Sequence, residues 1–142
     1  MDVPKQIPAP GELLKLDNQL CFALYVCSKE IIRKYRPLLK PLGLTYTGYI
    51  TMLALWERAD ITVKELGTEL YLDSGTLTPV LKKLEAAGYV ERMRGTDNER
   101  NVYIRLTGEG QRLKERTAEV PLRLLELTGC GLNDSSRLLL SL

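Results

Sequence analysis

The middle of the chain, residues 62–107, constrains the fold more than any other segment. Apolar residues at i, i+3 and i+7 across 63–70 predict a short helix. A turn at 71–73 separates it from a second predicted helix, whose apolar face is formed by Leu77, Val80, Leu81 and Leu84. Strands at 89–93 and 102–106 then enclose a polar loop. This order predicts a winged helix-turn-helix, which places a helix in a DNA groove and a wing beside it.

The second predicted helix has the composition of a recognition helix. Asp73 or Ser74 can cap its N-terminus, because a short side-chain oxygen accepts hydrogen bonds from free backbone N–H groups. Hydroxyl groups near its start and lysines further along suit phosphates and base edges, which accept hydrogen bonds. Pro79 removes one backbone hydrogen bond and predicts a bend, and Gly88 predicts the helix end. The candidate DNA-binding residues here are Ser74, Gly75, Thr76, Thr78, Pro79, Lys82 and Lys83.

The wing supplies three more candidate DNA contacts, Arg92, Arg94 and Arg100. Arg100 lies near the tip of the polar loop. We expect it to enter a minor groove, where negative potential is concentrated, and we expect Asp97 or Glu99 to orient it. Taken alone, this hairpin is equally typical of a solvated loop of mixed charge, but the helices that precede it favour DNA.

Charge is distributed in agreement with this interpretation. The chain of 142 residues carries a net charge of only +2, so overall charge does not indicate nucleic-acid binding. Six basic and four acidic residues between Lys82 and Arg105 give that segment a charge of +2, and the rest of the chain sums to zero. The positive excess therefore lies where DNA would bind.

Composition argues against several other classes of protein. Histidine is absent, which removes the commonest metal ligand and the usual general base. The three cysteines lack metal-binding spacing, so we expect neither a metal nor a cofactor. No apolar run approaches the roughly 20 residues that span a membrane, and the proline-containing N-terminus lacks the apolar core of a signal peptide. We expect a flexible or extended arm on a cytoplasmic protein whose cysteines are reduced, buried or redox-active.

Outside residues 62–107 the sequence predicts helices, so the fold class is mainly α with a small β-wing. A long helix over about 16–39 contains an uncharged stretch at 20–27. A helix that is apolar around most of its girth is normally buried on most sides, which in a chain this small predicts packing against another subunit. Further helices are predicted at 47–57, from Gly108 to about Val120 after a Thr107 cap, and from about Asn133 onwards. Pro121 predicts either a kink in the helix after Gly108 or its restart.

Three motifs resemble the MarR family of winged-helix regulators. They are Leu-Tyr-Leu-Asp-Ser-Gly-Thr-Leu-Thr-Pro at 70–79, Asp-Asn-Glu-Arg at 97–100 and Leu-Thr-Gly-Glu-Gly at 106–110. Together with Asp-Asn-Gln-Leu-Cys-Phe at 17–22, they are most similar to the OhrR-type sensors of organic hydroperoxides. The resemblance covers about residues 16–128. It implies a homodimer that represses transcription by binding a pseudo-palindromic operator.

The same resemblance implies how the chain is organised. A single domain over 1–142 would use residues 12–46 and 108–142 as dimerisation helices around a DNA-binding lobe at 47–107. The last segment, 133–142, is short for a terminal dimerisation helix of this family. That length predicts either a truncated chain or a dimer that depends more on its first helix.

By position, the resemblance identifies Cys21 as the redox-sensing cysteine, whose oxidation by organic hydroperoxides releases the repressor. The thiolate is the reactive form, and hydrogen bonds to the anion favour it. Tyr25 lies at i+4 on the same helix face, and the resemblance implies that Tyr35 and Tyr46 of the partner subunit complete a phenol cluster. The alternative is that Cys21 is a small buried hydrophobic residue.

The other two cysteines have different expected roles. Cys130 lies between glycines, which predicts partial exposure, and in two-cysteine members of this family the equivalent residue resolves the sulfenic acid as an intersubunit disulfide. Otherwise a small thiol or overoxidation would cap Cys21. Cys27 is six residues from Cys21 on one helix, so the two cannot form an unstrained disulfide within it. We expect Cys27 to be a packing residue.

Two other functions stay open at this point. The chain could be a MarR-type repressor released by a small phenolic ligand, with Cys21 incidental. It could also be a thiol peroxidase acting through Cys21 and Cys130, but residues 62–107 would then have no purpose. We therefore expect a regulator and not an enzyme.

Overall fold

The computed structural model describes residues 6–129. The chain divides into two compact units, and the boundary in the sequence lies between Lys34 and Tyr35. Cys130 and the helix predicted from Asn133 lie outside the described residues. Within 6–129, no helix is long and apolar enough to cross a membrane.

The first helix of the described residues is α1 (Pro10–Leu13). Residues 6–9 before it form no helix or strand, and residues 1–5 of the expected arm lie outside the described residues. Proline favours a first helical position, because its missing N–H would have no partner there. A 3-10 turn at Leu16–Asn18 follows. The amide of Asn18 donates to the Glu12 carbonyl oxygen at 2.7 Å, so the predicted long helix starts four residues late, as α2 (Leu20–Leu39).

The second unit contains the predicted winged helix-turn-helix. Its helices are α3 (Tyr46–Glu57), α4 (Val63–Leu70), α5 (Ser74–Ala86), α6 (Gly108–Thr117) and α7 (Glu119–Thr128). Four of them begin at a side-chain cap, from Thr45, Thr62, Asp73 and Thr107. Each cap accepts a hydrogen bond from a free N–H of the first turn. The cap at Thr107 was predicted, and Asp73 was one of two predicted candidates for its helix.

The wing is part of a three-stranded antiparallel sheet, in the order β1 (Ile61–Thr62), β3 (Val102–Leu106), β2 (Val90–Arg94). The hairpin strands are confirmed to within one residue. Ile104 pairs with Ile61 on one side and Arg92 on the other. Sequence analysis missed β1, because two residues are too few to show a period.

The core of this unit joins the helices to the sheet. Its fully buried side chains include Leu39, Met52, Leu66, Leu77, Leu81, Ile104 and Leu113. The buried hydroxyls of Thr51 and Thr117 donate to carbonyl oxygens one turn earlier in their own helices. Both buried hydroxyls therefore have a hydrogen-bond partner within their own helix, which offsets the cost of removing them from water.

The helix predicted to run to Val120 ends earlier, at Thr117, and α7 begins at Glu119. Pro121 then lies in the first turn of α7, where a missing N–H is tolerated. The predicted restart is therefore confirmed, but the break lies three residues before the proline. Gly129 closes α7 in the left-handed conformation, with φ of 68°.

One joint ties α6 to the base of the wing and to α3. The Trp56 indole N–H donates to the Gly110 carbonyl oxygen at 2.9 Å, and the Thr107 backbone N–H donates to the Tyr89 carbonyl oxygen at 3.0 Å. The Tyr89 hydroxyl donates to the Leu42 carbonyl oxygen at 2.8 Å. A Cβ on Gly110 would overlap the Tyr89 carbonyl oxygen, so only glycine permits this approach.

We expect Gly110→Ala to lower the free energy of unfolding by about 2 kcal/mol or more, because backbone atoms must move to relieve the overlap. Gly108→Ala is the matched control. It lies on the same turn of α6, and its nearest neighbour is the flexible Arg112 side chain. That variant should be neutral or slightly stabilising. Urea denaturation of both variants checks this, and equal stabilities would contradict it.

Candidate DNA interface and redox residues

Asp73 fixes the start of the predicted recognition helix. Its carboxylate Oδ1 accepts from the Thr76 backbone N–H at 2.7 Å. This backbone hydrogen bond is the largest cause that lowers the pKa of Asp73. Of the two capping candidates, the structure selects Asp73, and Ser74 becomes the first helical residue.

The turn before this helix depends on a close backbone approach. The Leu72 N–H donates to the Gly67 carbonyl oxygen at 2.9 Å. A Cβ at Gly67 would lie 2.8 Å from the Leu72 carbonyl oxygen, which excludes other residues without rearrangement. Tyr71 adopts the left-handed conformation between them, with φ of 56° and ψ of 37°. Sequence analysis placed the turn but attached no role to this tyrosine.

Helix α5 buries one face and exposes the other, as predicted. Leu77, Leu81 and Leu84 are buried. The candidate contacts Ser74, Gly75, Thr76, Pro79, Lys82 and Lys83 are exposed, and Thr78 is half-buried. The helix is continuous through Pro79, and Gly88 follows its end with φ of 82°. The bend at Pro79 stays a prediction.

The three wing arginines have different surroundings. All three side chains are exposed. Arg92, however, pairs with Glu85 of α5, with 2.6 Å between Nε and Oε2. This contact ties strand β2 to the recognition helix, so Arg92 has a structural partner as well as a predicted DNA role.

The loop tip is organised by Asn98, which sequence analysis did not single out. Its side-chain oxygen accepts from the Arg100 backbone N–H at 3.0 Å. The Gly95 N–H donates to the Asn101 carbonyl oxygen at 2.7 Å and closes the loop. Among residues 6–129, no ion pair joins Arg100 to Asp97 or Glu99. An asparagine turn therefore holds the backbone of the loop tip, and the orientation of Arg100 by Asp97 or Glu99 stays a prediction.

Helix α4, the start of α5 and the wing share one groove of about 710 Å³. Ser74 lines it from α5, Lys64 from α4 and Arg100 from the wing. The structure therefore brings the two predicted parts of the DNA interface, the helix start and the wing tip, to one surface.

The predicted redox residues of the first unit lie on the exposed surface of α2. Cys21 and Cys27 are both exposed free thiols, and Tyr25 is 59% exposed. The Lys29 ammonium lies 5.0 Å from the centre of the Tyr25 ring, a cation–π contact. The predicted burial of Cys27 is not found in the single chain.

The whole uncharged stretch 20–27 is exposed in the single chain, including Leu20, Phe22, Leu24 and Val26. A contiguous apolar surface of this kind marks an interaction site more often than a solvated face. The predicted packing of this stretch therefore needs another molecule.

In the second unit, Tyr35 and Tyr46 lie together, with ring centres 5.0 Å apart. Tyr49 completes the cluster, 5.4 Å from Tyr35 and 6.3 Å from Tyr46. Burial is the largest cause that raises the pKa of Tyr35, to about 12, and electrostatic interactions with Tyr49 and then Tyr46 add to it. Sequence analysis missed Tyr49, although its i+3 spacing from Tyr46 was a usable signal.

Comparison with known proteins identifies the family. The sequence profile of the transcriptional regulator SarA/Rot family matches residues 28–117. The organic hydroperoxide resistance transcriptional regulator of Bacillus subtilis (strain 168) is 49% identical over 115 residues, covering 81% of this chain and 78% of that protein. The chain belongs to the MarR family of winged-helix transcriptional regulators. Within the family it is of the OhrR type.

Solved structures agree with this assignment. Reduced AbfR bound to DNA is 36% identical, with a TM-score of 0.75 over 92% of this chain and 90% of that one. AbfR, from Staphylococcus epidermidis, is also known overoxidised on DNA and with a disulfide formed. A cysteine-to-serine mutant of MarR from E. coli in complex with operator DNA is 26% identical, with a TM-score of 0.72 over 90% of this chain and 91% of that one. These MarR-family relatives are regulators, not enzymes.

The tyrosine cluster makes stability depend on pH. A tyrosine whose pKa is raised on folding stabilises the fold fully below its ordinary pKa of 10.0, and that contribution is lost as the pH rises towards about 12. We expect wild-type stability to fall more steeply than that of Tyr35→Phe across this range. Urea unfolding followed by the fluorescence of the single tryptophan measures the difference. Tyr71→Phe, which alters an exposed ring, is the control, and parallel curves for wild type and Tyr35→Phe would refute the expectation.

Proposed function

We propose that this protein is a homodimeric repressor of organic hydroperoxide resistance, released from a pseudo-palindromic operator when Cys21 is oxidised. The observation that carries the proposal is an exposed Cys21 thiol within the exposed uncharged stretch 20–27, one helical turn from Tyr25. The 49% identity to the Bacillus regulator supports the same inducer. We further propose that residues 12–46 and 108–142 form the dimer interface and that 47–107 bind DNA.

The proposed DNA-bound state uses the two parts of the shared groove. Helix α5 of each protomer enters a major groove, and the two half-sites lie one helical turn, about 34 Å, apart. The exposed arginines 94 and 100 of the wing reach phosphates and the flanking minor groove. AbfR and MarR, both solved on DNA, support this assignment.

The proposed sensing step is an oxidation of sulfur. The Cys21 thiolate attacks one peroxide oxygen, the O–O bond breaks, and the hydroperoxide proton leaves with the alcohol. The resulting sulfenate takes up a proton from water and becomes a sulfenic acid. Tyr25, with Tyr35 and Tyr46 of the partner subunit, would donate hydrogen bonds to the thiolate and stabilise it. The leucine and phenylalanine side chains around Cys21 would favour an organic peroxide over hydrogen peroxide.

The proposed release step is disulfide formation. The thiol of Cys130 of the partner subunit attacks the sulfenic acid, which forms an S–S bond and releases water. The cross-link would pull on the dimerisation helices and change the spacing of the two recognition helices. AbfR has been solved overoxidised while bound to DNA and, separately, with a disulfide formed. Since overoxidised AbfR is found on DNA, this supports the disulfide as the step that causes release.

Cysteine variants test the sensing step. We expect Cys21→Ser to bind DNA like wild type but to stay bound when cumene hydroperoxide is added, because serine forms no sulfenic acid. Cys27→Ser is the matched control on the same exposed stretch and should respond like wild type. Electrophoretic mobility shifts measure both, and peroxide-induced release of Cys21→Ser would rule out this switch.

The release step has a separate test. Non-reducing gels of wild type treated with one equivalent of cumene hydroperoxide should show a cross-linked dimer, and Cys130→Ser should show none. A dimer band in Cys130→Ser would exclude Cys130 as the resolving thiol. Steady-state consumption of peroxide with a thiol reductant would instead favour a peroxidase.

The DNA interface is tested by salt dependence. Lys82→Ala and Arg100→Ala should each lower the magnitude of the slope of log K against log salt by about 2, because each variant removes one phosphate contact from each protomer of the dimer. Lys114→Ala, an exposed lysine on α6, should leave the slope unchanged. Fluorescence anisotropy with a duplex selected by the wild-type protein provides the measurement, and unchanged slopes in all three variants would place the interface elsewhere.

A further inference from the structure

We propose that Tyr71 binds the DNA backbone, with its phenol hydroxyl donating a hydrogen bond to a phosphate. This inference rests on the proposed DNA-binding function and adds a residue to it. Tyr71 is not among the basic and hydroxyl side chains that the sequence marks as DNA contacts. Its backbone conformation, its exposure and its position each indicate the role.

The backbone of Tyr71 is held in a conformation that tyrosine disfavours. Its φ of 56° and ψ of 37° lie in the left-handed region, which suits glycine and occasionally asparagine. The turn needs this conformation, since the N–H of Leu72 reaches back to the carbonyl of Gly67. A glycine at position 71 would make the same turn without strain, so the tyrosine side chain is not explained by the turn.

The side chain of Tyr71 is also not explained by packing. It is 88% exposed, whereas its neighbours Leu70 and Leu72 pack against the core. No side-chain hydrogen bond of Tyr71 is found among the described residues 6–129. A large ring that is both strained and solvated contributes nothing evident to folding, and strained residues of this kind concentrate at functional sites.

The position of Tyr71 selects DNA as the partner. It lines the same groove as Lys64, Ser74 and Arg100, immediately before α5. In a helix-turn-helix the first helix crosses the DNA backbone, and Tyr71 caps the C-terminus of that helix, α4. Tyrosine hydroxyls are among the usual donors to phosphate. A neutral donor also suits a site two residues from the Asp73 carboxylate, where a lysine would pair with Asp73 instead.

Two variants separate binding from folding. Tyr71→Phe removes only the hydroxyl, and Tyr71→Gly removes the ring and the backbone strain. The probes are a duplex of about 30 base pairs, long enough for two half-sites, selected by wild type from a random library, and an unrelated duplex of equal length. Binding is measured by anisotropy at several salt concentrations, Tm by thermal denaturation and dimer mass by light scattering.

We expect Tyr71→Phe to raise Kd about 3- to 10-fold on both duplexes, because a phosphate contact is independent of sequence. The salt slope should stay unchanged, since the lost donor is neutral, and Tm should not move. Tyr71→Gly should weaken binding at least as much while raising Tm, because the left-handed backbone is then relaxed. Both variants should keep the dimer mass of wild type.

Three outcomes would overturn the inference. If Tyr71→Phe binds both duplexes with the affinity of wild type, Tyr71 makes no phosphate contact, and the proposed function stays intact. A lower Tm for Tyr71→Gly would make the tyrosine structural, and a lost dimer in either variant would make it a subunit contact. If wild type selects no duplex at all, the proposed function fails and this inference fails with it.

Discussion

The joint at Gly110 is the contact on which the geometry of the second unit depends. The backbone of α6 comes so close to the base of the wing that a side chain at Gly110 has no room, and the Trp56 indole secures the same residue from α3. Tyr89 extends the joint to the carbonyl of Leu42, at the turn that follows α2. Helices α3 and α6, the base of the wing and the turn after α2 are therefore held together by hydrogen bonds to backbone carbonyls, which are specific in direction as well as distance.

A unit tied together in this way limits how a redox signal can act. The Arg92–Glu85 ion pair holds strand β2 to α5, and the Asp73 cap holds the start of α5. Melting the recognition helix would break these contacts together with a core that includes Leu77 and Leu81. In the proposed mechanism, it is easier for oxidation to change the distance between two intact lobes, since a dimer reads two half-sites at a fixed spacing.

The features of this structure that could be predicted from the sequence depend on interactions between residues that are close together in the chain. The caps at Asp73 and Thr107 and the apolar face of α5 depend on residues within one or two turns, so sequence alone located them. Strand β1 exists only because it pairs with β3, a contact between distant segments. The roles of Tyr49 and Asn98 are likewise set by neighbours in space or by loop closure. Residues 20–27, which the sequence predicts to pack against another subunit, are exposed in the single chain, so that contact stays a prediction.

Because histidine is absent, the tyrosine cluster would supply the hydrogen-bond donors to the thiolate in the proposed sensor. A histidine beside the thiol would change its charge near neutral pH, so peroxide sensitivity would then depend on pH in that range. Burial raises the pKa of Tyr35 to about 12 and also raises the pKa of Tyr46, so both phenols keep their protons far above neutrality. In the proposed dimer they would donate to the Cys21 thiolate without competing with it for a proton. In this proposal, the phenol donors would stabilise the thiolate without titrating near neutral pH themselves.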